Sequence, residues 1–268
     1  MASKRTITAC PTTLTKQLLQ AAGIGPGARV LDVGCGPGNT SLLIAELVGP
    51  SGSVLGIDRN EAFLQKARDA MESNGVSETT SFTALDLDDV EALSSLRADS
   101  QGTPFTAVVI RRVLMYLPDP GATLKAVADT LGPGGVCCVQ EHSYTPPMSS
   151  APMPLHTAIY ESVWATVGHE NADTSIGPKL WGLLTDSAGL SVEHLSISSR
   201  TLVPDEPGEY AFLAKVMMPR MLDAGTAPEL DINLDTIDAD LAAERTSART
   251  TFVGEHIFCT WALKPLYT

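Results

Sequence analysis

No apolar run in this 268-residue chain approaches the ~18 to 20 residues that cross a bilayer, so no stable membrane insertion is expected. The opening residues, Met1-Ala2-Ser3-Lys4-Arg5-Thr6, lack the apolar core of a secretory signal, and a cytoplasmic location is expected. Cysteine is sparse and unpatterned. Cys10, Cys35, Cys137, Cys138 and Cys259 are odd in number and contain no C-x-x-C pair, which argues against a disulfide framework or zinc site and for reduced, mostly buried thiols. Basic residues are also few: 18 Lys and Arg stand against 31 Asp and Glu, a formal net charge of -13 that repels a nucleic-acid backbone. No convergent set of carboxylates and amides suggests a metal. These absences leave a small molecule, neutral or cationic, as the expected partner of a monomer or homodimer.

The composition, 44% hydrophobic and 18% charged, is that of a globular chain, and the length suits one α/β domain with an elaborated end. Leu14, Leu18, Leu19 and Ala22 share one helical face across Thr13 to Ala22, and Gly23 to Gly27 ends that helix. Strands are then predicted at Arg29 to Val33, Val54 to Ile57, Thr80 to Leu85, Phe105 to Ile110 and Val136 to Gln140. Between them fall helices starting at Asn39, Asn60, Val90 and Ala122, the second with Phe63, Leu64, Ala67 and Met71 at helical spacing. This rhythm implies a Rossmann-like, mostly parallel seven-stranded sheet with helices on both faces. Residues 12–143 are the expected core. A helical cap with substrate-binding elements is expected over 144–250, followed by a final strand at 251–264. Within the latter part, helices are predicted at Leu155 to Val167, Pro178 to Ala188, Glu209 to Leu222 and Ile237 to Ser247, a strand at Ser191 to Ser196, and a mobile acidic loop at Gly225 to Asp235.

The strongest motif is Leu31-Asp32-Val33-Gly34-Cys35-Gly36-Pro37-Gly38, whose glycines at spacing two let backbone approach a ligand without Cβ contacts. Strand two ends in Asp58, placed to accept hydrogen bonds from both hydroxyls of a ribose. NAD is the competing nucleotide, but its fingerprint is G-x-G-x-x-G, and Asp32 beside the loop would repel a diphosphate. An acidic group there suits an ammonium and a sulfonium instead.

With Val30 to Gly38, Gly56-Ile57-Asp58-Arg59, Asp86-Leu87, Arg111 to Pro120 and Leu131-Gly132-Pro133-Gly134-Gly135, the chain resembles the class I S-adenosylmethionine-dependent methyltransferases over roughly residues 12–143. The segment Arg111 to Pro120 resembles that of ubiquinone- and menaquinone-biosynthesis-type and related small-molecule methyltransferases. The resemblance implies S-adenosyl-L-methionine as cofactor. Gly34, Gly36 and Gly38 would hold its methionine part beside Asp32, with Cys35 a spacer in the loop. Asp58 would hold the ribose, Arg59 the adenine edge and Asp86 the adenine amino group, with Leu87 against the ring. Arg111 is the expected arginine near the cofactor, Arg112 the alternative.

Methyl transfer from a sulfonium is an in-line displacement, and a protonated nucleophile also needs a base. Glu141 and His142 follow strand five, so His142 is the expected base and Glu141 an orienting or substrate-binding partner; the competing reading is a histidine that merely ends a strand. Members of the resembling family often carry histidine where Tyr116 stands. Because an ordinary phenol loses its proton only near ~10, Tyr116 is a candidate acceptor contact rather than a base. Tyr144 is a second aromatic candidate, whereas Tyr160 and Trp164, at i and i+4, read as packing. The expected reaction is methylation of O, N or C on a secondary-metabolite or quinone-like acceptor. Two alternatives stay open, a non-methylating rearrangement or cyclisation and a non-catalytic cofactor-binding partner protein, because fold and cofactor do not fix a reaction.

Overall fold

The computed structural model describes residues 11–203, 210–228 and 231–266. An N-terminal helix, α1 (Pro11–Ala21), precedes a regular alternation: β1 (Arg29–Val33), α2 (Asn39–Val48), β2 (Ser53–Asp58), α3 (Glu61–Ser73), β3 (Thr80–Ala84), α4 (Val90–Ser94), β4 (Phe105–Arg111), α5 (Pro120–Thr130) and β5 (Leu131–Ser143). Side-chain caps start three of these helices. Asn60 accepts from the Ala62 and Phe63 amides, Asp89 from Ala92 and Asp119 from Ala122. There follow α6 (Pro154–His169), α7 (Leu180–Gly182), β6 (Ser191–Leu202), α8 (Tyr210–Asp223), α9 (Ile237–Ala248) and β7 (Phe252–Leu263).

The seven strands form one sheet in the order β3-β2-β1-β4-β5-β7-β6. Pairing is parallel for β1 with β2 and β4, for β2 with β3, and for β4 with β5. The chain steps from β1 out to β3 and resumes on the other side of β1 at β4, so right-handed crossovers send the earlier and later helices to opposite faces. That reversal leaves a crevice at the carboxyl ends of β1 and β4, where such sheets bind ligands. The Gly134 amide donates to Lys264 O and the Lys264 amide to Gly135 O, which sets the end of β7 against the start of β5 and makes this pair antiparallel.

Some elements run beyond their predicted limits. Leu131, which reads as the end of a helix, and Gly132 to Gly135, which read as a glycine break, belong to β5 because Leu131 pairs with Phe105 and Gly134 and Gly135 bond to Lys264. Here main-chain pairing outweighs glycine's low strand preference. β6 continues past Ser196 to Leu202. The helix predicted from Pro178 is a composite, a 3-10 turn at Gly177–Lys179, then α7, then a π turn at Leu183–Ser187. Cys10, Glu209 and residues 229–230 of the acidic loop lie outside the described residues. Among the described residues no helix is long and apolar enough to cross a membrane.

The chain forms two compact units. The first holds 11–141, 176–197 and 258–266; the second holds His142–Ser175 and the described part of Ser198–Ile257. In the first unit, alternate residues of β4, Ala107 and Val109, join Leu19, Val30, Ile44 and Val48 in one buried cluster. The 176–197 segment groups with this unit, and a Cβ on Gly121 of α5 would lie 3.0 Å from Ser187 Oγ, a tight contact. The second unit is organised around aromatic rings. Tyr160, 1% exposed, lies 5.9 Å from Tyr144, 6.4 Å from Trp164, 6.4 Å from Tyr210 and 5.9 Å from Phe252, centroid to centroid. Tyr160 and Trp164 are thus packing residues, with edge geometries that favour ring quadrupoles.

Candidate active site

A cavity of about 350 Å3 opens in the first unit, lined by Gly34, Asp58, Arg59, Phe63, Asp86, Leu87, Asp88, Arg112, Val113, Tyr116, Leu117 and Pro118. Its size and mixed lining suit a small organic ligand. One wall is the glycine loop after β1. Gly34 has φ +66°, and a Cβ there would lie 2.5 Å from Val113 Cγ2, so only glycine lets these two loops touch. A Cβ on Gly36 would meet nothing within 4 Å, which leaves bare backbone facing open space. Gly38 serves packing instead, because a Cβ there would lie 2.8 Å from Ala67 Cβ of α3.

Asp58 closes the loop from the tip of β2. Its Oδ2 accepts from the Gly36 amide at 2.9 Å and its Oδ1 from the Asn60 amide at 2.8 Å. Each carboxylate oxygen keeps a further lone pair for an external donor. Asp86 stands in the loop after β3, where its Oδ1 accepts from the Asp88 amide at 3.2 Å. Leu87 is buried beside it, and its carbonyl accepts from Thr123 of α5 at 3.4 Å.

Gly34, Asp58, Arg59, Asp86, Leu87 and Tyr116, all singled out from sequence, therefore share one cavity, but other candidates do not line it. Asp32 is buried behind the loop, where Ser41 Oγ of α2 donates to its Oδ2 at 2.5 Å. Burial raises its pKa to about 7, offset in part by the Ser41 hydrogen bond and the charge of Arg111. Cys35 also turns inward, and burial pushes its thiol well above the ordinary range. Of the two arginines at the end of β4, Arg112 lines the cavity and Arg111 does not, against the expected preference for Arg111. The backbone explains the difference: Arg111 is the last paired residue of β4, opposite Gln140, whereas Arg112 leaves the strand at φ +57°.

Glu141 and His142, expected at the ligand edge, are both buried and absent from the cavity lining. Glu141 Oε1 accepts from the Val113 and Leu114 amides, each at 2.8 Å, and burial raises this carboxyl to about 7. Its surroundings correct the expectation of a substrate-facing carboxylate. In the second unit, His142 Nδ1 lies 3.5 Å from Glu255 Oε1, which Arg200 Nε also approaches at 2.7 Å. Tyr144 donates to Glu161 at 3.0 Å and stacks on Tyr160.

Phe63, Asp88, Val113, Leu117 and Pro118 line the cavity without having been assigned to it. Helical spacing groups Phe63 with the core residues of α3, and only the structure separates it from them. Leu64, Ala67 and Met71 form the buried face of α3, and Phe63 lies off that face in the first turn, 40% exposed. Among the described residues no group of three or more His, Cys, Asp or Glu side chains is placed to hold a metal ion.

A doubly wound sheet, a bare glycine loop at its reversal and a carboxylate at the tip of the next strand define a nucleoside-binding α/β protein. Residues 24–181 match the family described as "Methyltransferase domain", and the chain belongs to that family. It is 31% identical over 130 residues to trans-aconitate 2-methyltransferase of Azoarcus sp. (strain BH72), covering 48% of this chain and 45% of the relative. It is also 31% identical over 130 residues to the ubiquinone/menaquinone biosynthesis C-methyltransferase UbiE of Cellvibrio japonicus (strain Ueda107), covering 47% of each. The chain thus spans about half the length of the curated relatives it matches. Among solved structures it is similar in fold to the BH2331 protein of Bacillus halodurans C-125, with TM-score 0.62 and 18% identity over 94% of this chain and 99% of that one.

Proposed function

We propose that this protein transfers a methyl group from S-adenosyl-L-methionine to O, N or C of a small organic acceptor. The observation that carries this reading is the convergence of Gly34, Asp58, Arg59, Asp86 and Leu87 on one cavity. The residues suit the cofactor. The open space beside Gly36 admits the methionine part, and the free lone pairs of Asp58 accept from the ribose hydroxyls. Arg59 flanks the adenine edge and Asp86 accepts from its amino group. Leu87 and the exposed ring of Phe63 offer apolar faces to the base. When bound, the cofactor supplies an electrophilic methyl on a sulfonium, and such a cation would favour the ionised form of Asp32 behind the loop, which burial opposes.

The acceptor is a secondary-metabolite or quinone-like molecule, neutral or cationic, in keeping with the net charge of -13. The protein acts in the cytoplasm as a monomer or homodimer. Tyr116, 44% exposed on the cavity wall, contacts the acceptor.

Calorimetric titration with S-adenosylmethionine, S-adenosylhomocysteine and NAD tests the cofactor, and an acceptor screen read by S-adenosylhomocysteine release tests the reaction. Binding of both sulfur ligands but not NAD, with turnover on at least one acceptor, is the expected outcome. Preference for NAD would overturn the reading. Tight binding with no turnover on any acceptor would favour the rearrangement, cyclisation or partner-protein alternatives.

A further inference from the structure

Glu141 is the last residue of the first unit before the chain enters the second, and its side chain is fully buried. Its Oε1 receives two successive amides, Val113 and Leu114, each at 2.8 Å. They converge because Arg112 takes a left-handed conformation, φ +57°, immediately before them. Successive N–H groups after such a residue form a concave, partly positive cradle for an anion. A non-glycine residue held in this region costs free energy that its surroundings must offset, and the two bonds to Glu141 are on hand to do so. The same segment is tied at its start, where the Arg112 amide donates to Gln140 O at 2.9 Å.

What this carboxylate holds is one side of the cavity. Arg112, Val113, Tyr116, Leu117 and Pro118 all line it, and Val113 occupies the space that a side chain on Gly34 would need. The post-β4 segment therefore rests directly on the glycine loop, and the distance between these two walls depends on where Val113 is fixed. We infer that Glu141 is a positioning residue for the cofactor: by accepting from the Val113 and Leu114 amides it holds the Arg112 to Tyr116 segment against Gly34 and so sets the width of the cavity. This rests on the reading that the cavity takes S-adenosylmethionine. Glu141 touches neither cofactor nor acceptor in this role.

The acceptor geometry of one oxygen is what matters, so glutamine replaces it and alanine does not. The test compares wild type, Glu141→Gln and Glu141→Ala as full chains, by calorimetric titration with S-adenosylhomocysteine and by hydrogen–deuterium exchange. In Glu141→Ala, residues 112–117 exchange faster while β1 and β2 keep their protection, and S-adenosylhomocysteine binds about tenfold more weakly, the scale of losing one to two buried hydrogen bonds. Glu141→Gln returns both readouts to within about threefold of wild type. Wild-type affinity in a folded alanine variant overturns the inference. So does a glutamine variant as weak as alanine, or a loss of protection spread evenly over the sheet, which marks a merely structural residue. If Glu141→Ala does not fold, Val113→Ala removes the contact with Gly34 and leaves Glu141 intact. Weaker S-adenosylhomocysteine binding at an unchanged Tm supports the clamp, and unchanged affinity overturns it. Failure of the wild type to bind S-adenosylhomocysteine at all refutes the cofactor reading instead, and the exchange pattern of residues 112–117 then decides whether Glu141 holds the segment.

Discussion

The two units treat buried charge in opposite ways. In the first, burial is the dominant influence on Asp32 and Glu141 and raises both to about 7, with hydrogen bonds and the nearby arginines offsetting only part of it. In the second, burial also weighs most on Glu255, yet the hydrogen bond from His142 and the charge of Arg200 overcome it and hold the carboxyl at about 2. His156 completes the second unit's set. Its Nδ1 lies 2.5 Å from Glu244 Oε2, its Nε2 faces Arg245 at 3.2 Å, and burial lowers its pKa. The buried carboxylate of the second unit is paired with His142 and Arg200; the first keeps buried carboxylates whose electrostatics an incoming cation would improve. Such imbalance in a ligand-binding unit is what a site for a sulfonium and an ammonium requires.

The largest test of this comparison concerns the aromatic core of the second unit. Phe252→Ala, at a site 1% exposed, should cost about 3 to 5 kcal/mol in denaturant-induced unfolding. A loss under about 1 kcal/mol would mean that the rings do not organise that unit. Next is Asp58→Ala, which removes the carboxylate shared by Gly36 and Asn60. Calorimetry should show S-adenosylhomocysteine affinity weakened by roughly 1 to 3 kcal/mol, and unchanged affinity would detach Asp58 from the ligand.

The remaining two tests use pH, with opposite signs for the two units. Glu255 has a depressed pKa, so its stabilisation is present above ~4.3, the unfolded value, and is lost as pH falls toward about 2. Glu255→Gln should therefore lower stability at pH 7 by about 1 to 3 kcal/mol, and the deficit should shrink in acid unfolding curves. For Asp32 the sign reverses. Its pKa is raised, so the folded state binds more protons than the unfolded state between ~4 and about 7, and stability falls as pH rises through that window. Asp32→Asn keeps an acceptor for Ser41 and should flatten that fall by on the order of 1 to 2 kcal/mol between pH 5 and 8. An unaltered slope would show that Asp32 is not the group responsible.

The same contrast explains what the sequence disclosed. The first unit is built from local rules: glycine spacing, capping residues such as Asn60 and Asp119, and apolar runs that end at strand tips. By those rules Asp58, Asp86 and Gly34 meet at one cavity, because a parallel strand brings its carboxyl end to a known edge. The same rules failed at the turn after β4. Arg111 is favoured over Arg112 as the arginine near the cofactor, but the left-handed backbone at Arg112 shifts the exit of the chain by one residue. Nothing in an arginine pair announces a positive φ. In the second unit the partners are far apart in sequence: His156 with Glu244, His142 with Glu255, Tyr160 with Phe252. Such pairs are set by tertiary packing, so neither periodicity nor spacing could reveal them, and the site read as Glu141 and His142 split into a backbone clamp and an ion-pair member.

β6, the last strand in the sheet order, has a practical consequence for handling the protein. Its outward residues Leu195 and Ile197 are 36% and 54% exposed, and the only charge beside them on that alternation is Glu193. An open strand border with an apolar stripe is where one molecule templates another during expression and concentration, and a single acidic gatekeeper is thin protection. A lysine at position 197 would add a second one at the centre of that stripe.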